Sequence, residues 1–315
     1  MTDPPAIEAE NLTHLYGTRT ALQDVSFHVR RGEIFGLLGP NGGGKTTLFR
    51  ILATLMSPSR GRARIFGDDV TAQSVAVRRR LGVVFQSPSV DRKLSVRENL
   101  RHQGHLYGLR GAGLHRCIEE MLARLGLTEH CDEPTEKLSG GLRRRVELCK
   151  GLLHRPDVLL LDEPASGLDA GARRDLRVYL ARLRETGVTV LLTTHLFDEA
   201  EACDRLGILD RGRLVSLGSP ESLKKTIGGD LVVLESREPE KLCAQIAQRF
   251  GGQPTVLNGR IRFECPQGHR VITELVEAFP GQIDSVTLAK PTLEDVFIQT
   301  TGHRFWEEGE ESHAE

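Results

Sequence analysis

Lys45 and Thr46 close the stretch Gly39-Pro40-Asn41-Gly42-Gly43-Gly44-Lys45-Thr46, whose spacing fits G-x-x-x-x-G-K-[ST], a phosphate-binding loop. Glycines let backbone N–H groups turn inward around a polyphosphate, a following helix N-terminus adds positive potential, and the lysine brings a full charge. Lys45 is placed to reach the terminal phosphates and Thr46 to ligate Mg²⁺, with Thr47 continuing the binding stretch into the helix. A plain glycine-rich turn would need neither the lysine nor the hydroxyl beside it.

Further groups bear on the same chemistry. Asp162 ends a short apolar run, Val158-Leu159-Leu160-Leu161, and Glu163 follows directly. Beside a phosphate loop, the first carboxylate can hold Mg²⁺ through water and the second can orient an attacking water or accept its proton. Standing alone, the pair would equally suit a solvated strand-to-loop turn. Ser139-Gly140-Gly141 opens a helix and makes a second anion-binding helix N-terminus, or else a serine N-cap with a flexible entry. Arg143 to Arg145 read as a solvated face or salt-bridge partners rather than phosphate ligands. His195, after Thr193-Thr194, could donate to a phosphate oxygen or be structural. Tyr16 could stack on a base through its π face or cap a strand.

The elements that must position these residues follow from period and punctuation. Ile34 to Leu38 reads as a buried strand before the phosphate loop and Thr47 to Leu52 as the helix after it. Ile7 and Ala9, then Val25, Phe27 and Val29, alternate with polar residues, giving two early half-buried strands. Strands follow at 61–66 and 81–85, the second ending at Gln86. From Ser95 to about Leu153 the pattern is helical, opened by the capping box Ser95-Val96-Arg97-Glu98, with further helices at 114–125 and after Ser139. Val158 to Leu161 is a strand buried on both faces. Asp169 caps a helix to about Glu185, followed by a strand at 188–193, a short helix through Ala202, strands at 207–209 and 214–217, and a helix at 220–225.

Composition shifts at Gly228-Gly229, the expected domain boundary. Beyond it the order is βαββαβ, with Asn258-Gly259 as a hairpin turn, which is the order of a small ferredoxin-like α+β sandwich. A last helix, 293–300, precedes an acidic tail, 304–315, expected to be disordered.

At 315 residues the chain has room for roughly two domains of about 150 residues. With 42 basic and 43 acidic side chains the net charge is −1, so no overall field favours nucleic acid or an anionic membrane. The six cysteines are scattered, with no C-x-x-C pair or metal-ligand spacing, as in a reduced, cytoplasmic protein. No signal-like N-terminus and no run of about 18 apolar residues occurs. The chain is expected neither to span a membrane nor to be exported by a cleaved signal, although it can sit against a membrane protein.

Taken in order, these motifs resemble the nucleotide-binding domain of the ABC ATPases, over Ile7 to about Lys225. The resemblance implies a P-loop NTPase fold with a RecA-like core, an antiparallel β subdomain and a helical subdomain at about 87–155, within a domain of residues 1–228. An accessory α+β domain at 229–303 would follow. It implies ATP and Mg²⁺ as ligands, with Tyr16 as the adenine-stacking aromatic and Gly39 to Thr46 as Walker A. Gln86 becomes the loop glutamine touching Mg²⁺ or water, and Leu138 to Leu142 the signature. Val158 to Asp162 becomes Walker B, Glu163 the general base, Gly167-Leu168-Asp169 the D-loop and His195 the switch histidine. Members act as head-to-tail dimers in which one subunit's signature closes over ATP on the other's Walker A. Leu142, Gly43 and Ala165-Ser166 depart from the commoner residues of the pattern, and none removes a charged or Mg²⁺-binding group.

Lys290-Pro291-Thr292-Leu293-Glu294-Asp295-Val296-Phe297 resembles the closing segment of ATPase subunits from drug-resistance and related ABC exporters, or is an ordinary capped helix docking Leu293, Val296 and Phe297. The expected function is an ATP-hydrolysing motor subunit on the cytoplasmic face of the cell membrane. It would pair with a second copy of itself and a separate transmembrane permease, without nucleic acid. The competing readings are a soluble non-transport ABC ATPase and an importer ATPase with a regulatory C-terminal domain. Translation factors of the first kind carry two cassettes in one chain and the DNA-maintenance kind long coiled-coil insertions, neither of which is visible here.

Overall fold

The structure is a computed structural model that describes residues 4–227, 229–257, 259–303 and 305. Gly228, Asn258 and residues 306–315 lie outside the described residues, and with them one half of the expected domain boundary, the first residue of the expected hairpin turn and nearly all of the acidic tail. The described residues divide into two compact units, one up to Gly218 and one from Ser219 onward.

The first unit opens with β1 (Ile7–Tyr16) and β2 (Arg19–Val29), an antiparallel pair whose inward positions alternate as the sequence pattern requires. β3 (Ile34–Leu38) is buried at every position and leads through the glycine loop into α1 (Lys45–Leu52). β4 (Arg60–Ile65) pairs with β1, and β5 (Asp68–Asp69) with β4, completing a four-stranded sheet in the order β2-β1-β4-β5. Then come α2 (Ser74–Arg80), β6 (Leu81–Val84), α3 (Val96–Leu106), α4 (Gly111–Arg124) and α5 (Gly140–Leu152). The Ser95 and Glu98 side chains form the reciprocal cap expected for α3.

β7 (Val158–Asp162), α6 (Ala170–Glu185), β8 (Thr189–Thr194), α7 (Phe197–Ala200), β9 (Arg205–Asp210) and β10 (Arg213–Gly218) finish the unit. The second sheet has the order β10-β9-β3-β8-β7-β6, parallel except for the β10–β9 pair. Because successive side chains of a strand point to opposite faces, β7 feeds two cores. Val158 and Leu160 pack with Phe35, Leu48 and the first sheet, while Leu159 and Leu161 pack with helices α3 to α6. A strand that must satisfy both cores is apolar throughout until the chain leaves the sheet, and there the first carboxylate stands.

The second unit begins with α8 (Pro220–Lys224), followed by β11 (Asp230–Glu235), α9 (Pro239–Phe250), β12 (Thr255–Leu257), β13 (Arg260–Cys265), α10 (Gly268–Ala278) and β14 (Ser285–Ala289). The order β12-β13-β11-β14, antiparallel throughout, is the split βαβ arrangement that the βαββαβ order implied. One face of this sheet packs Val232, Leu234, Ile261 and Phe263 against Leu242, Ile246 and Leu275. α11 (Leu293–Thr301) is opened by a reciprocal Thr292–Asp295 cap and buries Leu293, Val296 and Phe297, while Asp295 also pairs with Arg262 of β13. Among the described residues no helix is long and apolar enough to cross a membrane.

Candidate active site

The phosphate loop lies at the C-terminal edge of the parallel sheet, where β3 ends between β8 and β9. Its backbone is pinned from both neighbours: Gly39 N–H donates to the Thr194 carbonyl (3.2 Å), and Gly212 N–H, from the β9–β10 turn, donates to that of Gly43 (3.1 Å). Gly44 has φ of 102° and caps α1, a backbone conformation that glycine reaches without strain. The first amides of α1 have no acceptor within the helix. Lys45 is buried, and its ammonium donates to the carbonyls of Gly39 (2.7 Å) and Pro40 (2.9 Å). Burial lowers its pKa, opposed by the nearby charges of Glu163 and Asp162.

Glu163 is held in the left-handed region at φ 43°, the bend that turns its carboxylate back toward the loop. Its amide donates to the Thr193 carbonyl (3.1 Å) and hydroxyl (3.0 Å). Three separate elements meet at the carboxylate. Lys45 Nζ lies 3.6 Å from Oε1, Gln86 Nε2 donates to Oε2 (2.8 Å), and His195 Nδ1 lies 3.1 Å from Oε2. Asp162 is buried and accepts from the Thr193 hydroxyl. Desolvation raises its pKa, the Thr193 hydrogen bond opposes that, and the Glu163 charge adds to it.

A cavity of about 420 Å³ opens over this cluster, lined by Tyr16, Thr20, Pro40, Asn41, Gly42, Gly44 to Thr47, Gln86 and Glu163. Tyr16 stands at the end of β1, 46 % exposed, its ring 4.7 Å from that of His14 and its hydroxyl 3.4 Å from Met56 Sδ. It contributes to the lining of the cavity. The oxygen donors Thr46, Gln86 and Asp162 suit Mg²⁺, which prefers hard oxygen ligands and keeps waters and substrate phosphates in the rest of its octahedron. A desolvated carboxylate such as Asp162, its charged form disfavoured by burial, fits such a cation. Among the described residues no group of three His, Cys, Asp or Glu could hold a metal alone.

The signature residues lie apart from this cavity, on a second one of about 460 Å³ lined by Ser139 to Leu142, Gly167 to Asp169 and Asp175. Ser139 caps α5 by accepting from Leu142 N–H (3.3 Å), and Asp169 caps α6 by accepting from Ala172 N–H (2.8 Å). The sequence-named residues therefore form two groups: the phosphate loop, Gln86, Asp162, Glu163 and His195 come together with Tyr16 at the rim, and Ser139, Gly140, Gly141 and Asp169 form the other.

The ABC transporter family pattern matches residues 22–166, which run from β2 through both carboxylates. The daunorubicin resistance ATP-binding protein DrrA2 of Streptomyces coeruleorubidus is 37 % identical over 311 residues, 96 % of this chain and 97 % of that protein. This chain belongs to the ATP-binding proteins of ABC transporters. It binds ATP with Mg²⁺ and hydrolyses it. The linearmycin resistance ATP-binding protein LnrL of Bacillus subtilis is 32 % identical, covering 94 % of this chain and 98 % of its own length. The Nod factor export ATP-binding protein I of Paraburkholderia xenovorans is 36 % identical over 94 % and 97 %. Among solved structures, an ATP-binding subunit of an ABC transporter superposes with a TM-score of 0.64 at 30 % identity, over 71 % of this chain and 93 % of that one. A dimeric ATP-binding cassette bound to ADP and Pi gives 0.62 at 26 %, over 68 % and 98 %.

Two residues of this ABC ATPase escaped sequence reasoning. Thr193 serves both carboxylate residues, and only its position ahead of His195 hinted at it. Arg144, read with Arg143 and Arg145 as part of a solvated or ion-paired face, is neither. Its Nε donates to the Pro164 carbonyl (3.0 Å), Nη1 to that of Phe85 (2.8 Å) and Nη2 to that of Asp162 (3.3 Å). Arg145 does pair as expected, with Asp175 at 2.8 Å.

Proposed function

We propose that two copies of this chain close head-to-tail on ATP and drive a separate membrane-spanning export subunit from the cytoplasmic face of the cell membrane. The observation that carries the reading is the convergence of Lys45, Gln86 and His195 on the Glu163 carboxylate, directly below the phosphate loop. That carboxylate lies against the buried lysine ammonium. A γ-phosphate entering the loop takes over Lys45 and leaves Glu163 free for water.

Glu163 then accepts the proton of the attacking water while the water oxygen bonds to the γ-phosphorus. The bond from that phosphorus to the bridging oxygen breaks, and ADP leaves with the electron pair. Gln86 and His195, both on Glu163 Oε2, hold the carboxylate in register, and His195 is within reach of the departing phosphate. Thr46, Gln86 and Asp162 would hold Mg²⁺, which would supply neutralisation of the charge developing on the phosphate oxygens. Tyr16 takes the adenine. Ser139, Gly140 and Gly141 of one copy face the ATP held by the other, with Asp169 beside them.

Export is supported by relatives named for drug resistance and for Nod factor export, and by the closing segment around Thr292 to Phe297. Glu163→Gln is expected to lower turnover by about 10²- to 10³-fold and to accumulate an ATP-bound dimer. Unchanged hydrolysis, measured as phosphate release, would remove Glu163 as the base. Co-purification from detergent extract tests the partner: a membrane subunit supports export, and ribosomes or DNA would overturn it.

A further inference from the structure

The Arg144 guanidinium lies on α5, one turn from the signature residues at the N-terminus of that helix. Its three carbonyl partners lie one residue before Gln86, at Asp162 itself, and one residue after Glu163. Those carbonyls lie at or just past the C-terminal ends of β6 and β7, where the ladder runs out of donors. Only a planar fork with several N–H groups can serve three divergent carbonyls at once. A second tie runs parallel to it. Glu147 of α5 accepts from Ser89 N–H (2.6 Å) and Oγ (2.8 Å), and Lys150 donates to the Ser89 carbonyl (2.6 Å), so the segment after Gln86 is also fastened to α5.

From this juxtaposition we infer that Arg144 is a positioning residue that transmits the state of a subunit's own nucleotide site to its signature helix. It rests on the proposed head-to-tail dimer. A ligand that draws Gln86, Asp162 and Glu163 onto a γ-phosphate moves the backbone at all three points. The strap moves α5 with them and sets the angle at which Ser139 to Gly141 meet the partner's ATP. Arg144 itself touches neither nucleotide nor metal.

The test uses the full chain carrying Glu163→Gln, which keeps ATP intact, with Arg144→Gln or Arg144→Lys added. Fluorescent ATP titrated at dilute protein reads nucleotide affinity, and sedimentation in Mg²⁺ and ATP reads dimerisation. Arg144→Gln is expected to leave nucleotide affinity within about threefold while weakening dimerisation by about tenfold or more, with Arg144→Lys between it and the parent. In the chain with Glu163 intact, the same substitutions are expected to lower kcat and leave KM for ATP unchanged. Parallel losses of affinity and dimerisation would make Arg144 a plain support of the fold and overturn the inference, as would no change in either. If Arg144→Gln does not fold, Arg144→Lys decides alone. If the Glu163→Gln parent does not dimerise on ATP, the head-to-tail reading fails, and the kcat and KM values still judge the strap.

Discussion

At Gly39 an added Cβ would stand 2.3 Å from the Leu209 carbonyl oxygen, and at Gly44 2.7 Å from that of Ala21. At Gly140 nothing lies nearer than 4.0 Å, and at Gly141 the nearest atom is Ala172 Cβ at an ordinary 3.4 Å. The first pair bounds the loop that leads into α1 and the second opens α5, each beside a cavity, and their glycines have different causes. Gly39 and Gly44 of the phosphate loop are required by this chain's own packing and, at Gly44, by φ of 102°. Those of the signature have room for side chains, and α5 would be a better helix with alanine there. In the proposed head-to-tail dimer, that open space is where a nucleotide held by a second copy would approach.

Substitutions that separate stability from turnover sharpen the contrast. Gly39→Ala drives a methyl into backbone that has no rotamer to yield, and is expected to cost about 3 kcal/mol, read by denaturant unfolding. Gly140→Ala is expected to do the reverse, gaining up to about 1 kcal/mol of stability while hydrolysis falls and ATP affinity of the single subunit stays. A loss of stability at Gly140 would break the comparison. Ser139→Ala removes the cap on Leu142 N–H and is expected to cost about 1 kcal/mol, so its effect on turnover must be read beside an unfolding curve.

The smallest effect concerns Asp162. Burial raises its pKa, so a contribution to stability that is full at low pH is lost as pH rises through the folded pKa, and at neutral pH the buried charge weighs against the fold. Asp162→Asn is expected to raise the Tm of the nucleotide-free protein by about 1–3 °C and to abolish Mg²⁺-dependent hydrolysis. For the native residue, Mg²⁺-ATP binding should weaken as falling pH protonates the carboxylate. A Tm that falls in the asparagine variant would mean that the Thr193 hydrogen bond to the charged carboxylate, with the pull of Lys45 and Arg144, outweighs desolvation.

What the sequence made legible follows the reach of local patterns. Asp169 as a cap and the helix to Glu185 needed only an N-cap residue and a 3.6-residue period, and α6 spans Ala170–Glu185. The run Val158 to Leu161 announced burial on both faces, and the motif spacing fixed the phosphate loop. α2 stayed invisible because of its seven residues only Val77 is buried, beside three consecutive arginines. α4 begins at Gly111 rather than Leu114, because Gly-Ala-Gly carries no apolar period. Arg144 was misread for a deeper reason: a triplet of arginines looks solvated, and its partners are backbone carbonyls 18 to 59 positions away, which no spacing rule can find. The convergence on Glu163 has the same origin, joining Lys45, Gln86 and His195 through strand ends rather than through adjacency.

A mixing experiment addresses the composite site most directly. A chain with Lys45→Ala has no phosphate loop to fill, and a chain with Gly140→Trp has a blocked signature, so each alone should hydrolyse no ATP. Mixed, they can form a dimer in which an intact phosphate loop of one faces an intact signature of the other. The expected result is hydrolysis in the mixture that neither variant shows by itself. A mixture as inactive as its parts, or a Gly140→Trp chain that turns over normally alone, would contradict a site shared between two subunits.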